Sequence, residues 1–122
     1  MSSAEARYAP ALDLAVLDRL RQLAPDAWPD LLAELTDSFR VEARERLDTL
    51  RAAADAGNRP AAGQVGHSLK GICGALGAVR MGDLSHEIEL FATAGRDLPG
   101  WNLEALEAEY HRVIDALTAV TN

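Results

Sequence analysis

Apolar residues recur at spacings of three and four along almost the whole chain, and a proline or glycine breaks the rhythm where a helix has to stop. A first short run carries Val16, Leu17, Leu20 and Leu23 and is closed by Pro25. A long second run opens at Trp28 and Pro29, carries Leu32, Leu35, Phe39, Ala43, Leu47, Leu50 and Ala54, and ends at Gly57. The third starts at Asn58 and Pro60, carries Val65, Leu69, Ile72 and Leu76, and ends at Gly77. Met81, Leu84, Ile88 and Phe91 make the fourth stripe. After a turn-rich segment, GRDLPGW at 95 to 101, a fifth stripe runs through Leu103, Leu106, Tyr110, Val113, Leu117 and Val120. Each is the buried side of an amphipathic helix. Four long helices with short links predict an all-α chain, an antiparallel up-down four-helix bundle with a short additional N-terminal helix over one end.

Local signals sharpen this outline. Asp13, Asn58 and Asn102 are the expected N-caps, Gly77 a left-handed C-cap, and Trp101 a staple partner for Leu106. Glu42 and Arg46 are spaced as an i,i+4 pair on the solvent side of the second helix. Residues 1–11 read as a loose, flexible tail and 12–122 as one folded domain.

Composition removes whole classes of function. The net charge is −7, which argues against nucleic acid, whose phosphates need a basic footprint. The single cysteine, Cys73, excludes an intrachain disulfide and fits a reducing compartment; it reads as a small residue beside the core. No stretch approaches the run of about 18 apolar residues that a membrane span needs, and the N-terminal segment holds Glu5 and Asp13, so a cytoplasmic chain is expected.

The informative stretch is 63 to 77, GQVGHSLKGICGALG. At about 100° per residue, His67 points opposite the Val65–Leu76 stripe, with Gly63, Gly71 and Gly74 within about 40° of it and Lys70 about 60° away. Five of the chain's nine glycines fall here. Four of them lie inside the helix, at a combined cost of roughly 3–4 kcal/mol relative to alanine. Clearance for a partner surface around the imidazole accounts for that cost. Lys70 is the chain's sole lysine among twelve basic residues. His86 lies opposite Leu84 and Ile88 and reads as a solvated surface residue, and His111 as a packed edge histidine.

The sequence HSLKG followed by LG resembles the signature of the histidine-containing phosphotransfer (HPt) domains of bacterial multistep phosphorelays, here His67, Lys70, Gly71 and Gly77. Helix order and length match over roughly residues 12 to 120. Two departures are Gly66, where alanine is common, and the large Ile72 beside Cys73, where small residues are usual.

The resemblance implies a phosphoryl carrier without an ATP site of its own. His67 would be phosphorylated on its solvent-facing ring nitrogen, Lys70 would attract the phosphoryl oxygens, and Glu89 on the next helix would accept from the other ring nitrogen. Gly63, Gln64, Gly71 and Gly74 would receive the partner. That partner would be a response-regulator receiver domain or a hybrid sensor histidine kinase. The receiver would bring the phospho-aspartate and Mg²⁺, so the carrier itself needs no cofactor and no metal site, and a monomer suffices.

The sequence speaks against three rival functions. A di-metal carboxylate bundle needs two Glu-x-x-His motifs, and the chain has one Asp83-x-x-His86. A kinase needs a glycine-rich phosphate loop that is not present. An HPt-like interaction module that docks without carrying phosphate has no need of the intact His67, Lys70 and Gly71.

Overall fold

The structure, a computed structural model, describes residues 10–121. All its elements are helical: α1 (Leu14–Leu23), a 3-10 turn (Pro25–Ala27), α2 (Trp28–Asp55), α3 (Arg59–Leu76), α4 (Val79–Thr93) and α5 (Gly100–Thr121). The four long helices close a ring of neighbours, α2 on α3, α3 on α4, α4 on α5 and α5 on α2, while α1 leans on α3. This is the four-helix bundle with a short N-terminal helix that the stripes predict. Among the described residues no helix is long and apolar enough to cross a membrane.

The local signals at the first and third helices act as expected. Asp13 accepts the Ala15 N–H at 3.1 Å, and Asn58 accepts the Ala61 N–H at 3.2 Å, each satisfying a free donor of a first turn. Gly77 closes α3 in the left-handed region at φ 76°. It also seats α1. The Asp13 N–H donates to the Gly77 carbonyl at 2.7 Å, and a Cβ on Gly77 would lie 2.8 Å from the Asp13 carbonyl oxygen. The end of the site helix is therefore tied to the start of α1.

Phe39, Leu50, Leu69, Met81, Ile88, Leu106, Val113 and Leu117 fill the centre and are essentially inaccessible. Truncating one of these leucines to alanine costs about 2–5 kcal/mol, because the packed surroundings close the cavity only in part. Phe39 and Tyr110 stack with ring centroids 6.0 Å apart, joining α2 to α5.

Several expectations need correction. Asn102 is not a cap. Helix α5 starts earlier, at Gly100, which leaves Asn102 fully buried with its amide donating to Glu87 Oε2 on α4 at 3.3 Å. Trp101 does not staple to Leu106; it lies inside the helix and is more than half exposed. The buried face of α2 passes through Ala53 rather than Ala54, and Leu23 is exposed. Arg46 does not pair with Glu42 but reaches α3, donating from Nε to Ser68 Oγ at 2.9 Å. Cys73 lies in the core rather than beside it, and burial pushes its thiol up to about 12. Of the expected N-terminal tail, residues 1–9 lie outside the described residues, and Ala11 is buried.

The glycines of α3 also divide differently. A Cβ on Gly66 would lie 2.8 Å from the Ser85 carbonyl oxygen and 2.9 Å from Ile88 Cγ2. A Cβ on Gly63 would lie 2.7 Å from the Ala92 Cβ. These two glycines let α3 and α4 approach closely. Gly63 is thus needed for the α3–α4 contact, while it also lines the groove beside Gln64 and His67.

Candidate functional site

The close packing of α3 on α4 sets what His67 faces. Helix α3 holds the imidazole outward, with 74% of the side chain accessible. One helix across, Glu89 is drawn in between, with 23% of its side chain accessible. His67 Nδ1 lies 3.1 Å from Glu89 Oε2, and Lys70 Nζ lies 3.2 Å from Glu89 Oε1. One carboxylate thus spans the histidine and the lysine of the same α3 face.

Electrostatics fixes the proton. Burial pulls the Glu89 carboxyl upward, but the close positive charge of Lys70 and the hydrogen bond with His67 outweigh it and hold it below the ordinary carboxylate range. Glu89 is therefore ionised near neutral pH and can only accept. Its neighbour Nδ1 must carry the hydrogen. In the neutral ring this leaves the lone pair on Nε2. The nitrogen away from Glu89 then keeps the free lone pair, on a ring that is open to solvent.

The surroundings leave room for approach. Nothing lies within 4 Å of a Cβ placed on Gly71 or Gly74, and both are exposed. Gln64 is exposed as well and lines a groove with Pro60, Gly63, His67, Glu89, Ala92 and Thr93. On the other flank, a shallow apolar groove runs along Leu35, Phe39, Ile72 and Leu76 with Gly71 at its edge. The large Ile72 is accommodated there, half-buried against the core.

Two residues near the site were not visible as such in the sequence. His86 is exposed, as a surface residue should be, yet its Nδ1 sits 3.8 Å from Glu89 Oε1. Arg46 flanks the histidine through Ser68, the next residue on α3. The signal for His86 was its i,i+3 spacing to Glu89 on one helix. His111 lies elsewhere, exposed on α5, with its ring edge-on to Tyr110 and Nε2 3.4 Å from Glu107 Oε2. Among the described residues no group of three or more His, Cys, Asp or Glu side chains is placed to hold a metal ion.

Fold and site together define a helical bundle that presents one exposed, carboxylate-held histidine on a glycine-flanked face. A family model, the Hpt domain, matches residues 34–119, and the chain belongs to that family of histidine phosphotransfer domains of phosphorelay signalling. The fold is also similar to the crystal structure of histidine-containing phosphotransfer protein B (HptB) from Pseudomonas aeruginosa PAO1. The two share 32% sequence identity and a TM-score of 0.81, over 93% of this chain and 96% of that one. Among curated proteins no match is found.

Proposed function

We propose that the chain accepts a phosphoryl group from a receiver-domain aspartate on His67 Nε2 and passes it to a second receiver. The observation that carries this reading is the placement of Glu89. Its Oε2 lies 3.1 Å from Nδ1 on a ring that is largely exposed, and an ionised carboxylate there favours the proton on Nδ1 and the lone pair on the opposite nitrogen.

The step balances simply. The Nε2 lone pair forms the N–P bond as the aspartyl P–O bond breaks, and the leaving carboxylate keeps that electron pair. The ring gains positive charge, which the Glu89 carboxylate stabilises across the Nδ1–H bond. Lys70 supplies a cation beside the moving phosphoryl oxygens, where charge neutralisation and positioning make up most of the catalysis. The receiver brings its own Mg²⁺, and the bundle acts as a carrier rather than a catalyst. Gln64, Gly71 and Gly74 form the approach surface, since no neighbouring side chain fills the space above the two glycines.

The experiment is labelling from a panel of phosphorylated receivers. His67→Gln should remove all label while keeping the helical content, and the wild-type label should be lost in acid as phosphohistidine is. Acid-stable label, or label persisting in His67→Gln, would overturn the reading.

A further inference from the structure

The Glu89 carboxylate is the part of the site with an acceptor left over. Oε2 is hydrogen-bonded to His67, but Oε1 is buried and lacks a partner of hydrogen-bond geometry. Lys70 Nζ holds Oε1 as an ion pair at 3.2 Å. His86 Nδ1 stands behind it at 3.8 Å, too far for a hydrogen bond but within the reach of a small ring movement. If Lys70 turns to meet phosphoryl oxygens on His67 Nε2, Oε1 is left buried and unpaired, a costly state for a carboxylate. A carboxylate in that state turns toward water and lets go of Nδ1.

We propose that His86 is a positioning residue of the phosphotransfer site, a second donor that closes on Glu89 Oε1 when Lys70 leaves it. Glu89 then stays on His67 Nδ1 throughout the transfer, and the nucleophilic nitrogen stays Nε2. His86 touches neither the phosphoryl group nor His67; it acts through Glu89.

The surroundings suit this role. His86 lines a groove with Lys70, Cys73, Gly74, Gly82 and Asp83 on the flank of the site. The charged groups facing it are Asp83 and Glu89 on its own helix and Lys70 on α3, while the Cys73 thiol stays neutral because burial pushes it up to about 12. The ring is half exposed, so it is free to turn.

This inference rests on the phosphotransfer reading, but its test needs no phosphoryl donor. Nitrogen-15 spectra of the His67 ring report which ring nitrogen carries the proton. In Lys70→Ala the departure of the lysine is made permanent, so His86 should take over and the Nδ1–H form should persist. In His86→Ala, Lys70 still holds Oε1, and the ring should again read as wild type. In Lys70→Ala/His86→Ala both partners are gone, and a clear shift toward Nε2–H should appear. Lys70→Ala/His86→Gln should restore the Nδ1–H form, because an amide donates too. A double variant that reads like Lys70→Ala alone, or a glutamine that fails to restore, overturns the role of His86. Failure of the wild type to accept phosphate from any receiver would instead sink the phosphotransfer reading, with the ring spectra unaffected.

Discussion

Two carboxylates in this molecule are ringed by a basic side chain and a histidine, and they behave differently. Glu107 on α5 is held by Arg44 of α2 through two parallel hydrogen bonds, Nη1 to Oε2 at 2.6 Å and Nη2 to Oε1 at 2.8 Å. The same guanidinium reaches Asp48 and lies 5.2 Å from the Tyr110 ring centroid. The fork is engaged on two sides, and the hydrogen bonds to Arg44 hold Glu107 below the usual carboxylate range. Glu89 has a lysine instead, a single flexible cation that leaves Oε1 without hydrogen-bond geometry. An arginine fork clamps; a lysine can let go. In a chain with eleven other basic residues, all arginine, the one lysine stands at Glu89, where the proposed transfer asks the cation to move.

The largest effect should come from removing that mobile cation. Lys70→Ala should slow transfer from a phospho-receiver by about a hundredfold to a thousandfold, the scale of one electrostatic donor. Its side chain is 42% exposed, so stability should change by at most about 0.5 kcal/mol. Lys70→Arg should not recover the rate, because a fork on Glu89 would hold rather than release. Full activity in Lys70→Arg would erase the distinction between the two carboxylates.

Arg44→Ala should show the opposite pattern. Loss of the bidentate pair and of the contact with Tyr110 should cost on the order of 1–2 kcal/mol in denaturant unfolding, and transfer rates should stay near wild type. A slowed transfer in a folded Arg44→Ala would mean that the clamp also serves the site.

Within α3 the glycines allow a finer version of the same contrast. Gly66→Ala should destabilise by about 1–3 kcal/mol, since the new methyl meets the Ser85 carbonyl oxygen. Gly74→Ala meets nothing and should stabilise by up to about 1 kcal/mol. Opposite signs in thermal melts check the division between packing and approach.

The smallest effect concerns acid. Both carboxyls lie below their ordinary range when folded. Each therefore adds stability that is complete above the unfolded value of about 4.3 and is lost as pH falls through the lower folded one. Glu107→Gln should flatten the acid limb of the stability curve by about a few tenths of a kcal/mol, and Glu89→Gln by less, because burial offsets its partners. Equal slopes in urea midpoints between about pH 5 and pH 3 would place both carboxyls in the same kind of network.

What the sequence made legible was local. Asn58 and Gly77 were readable because a cap is decided within four residues. Asn102 misled because its partner, Glu87, lies on another helix and no propensity encodes that contact. A helical wheel put Gly63 on the histidine face correctly, but it could not show that α4 presses on one half of that face and not on the other. Glu89 came from the family resemblance rather than from spacing. A wheel measures His86 only against the stripe of its own helix and does not show its nearness to the carboxylate that His67 and Lys70 share.

If Glu89 holds the hydrogen on Nδ1, Nε2 of His67 is the nucleophile. Phosphorus-31 and nitrogen-15 spectra of the phosphorylated chain test it directly, since they name both the residue and the ring nitrogen that carry phosphate. The account predicts a single phosphohistidine, at His67, bonded through Nε2 with the hydrogen kept on Nδ1. Phosphate on Nδ1, or on any other side chain, would contradict it.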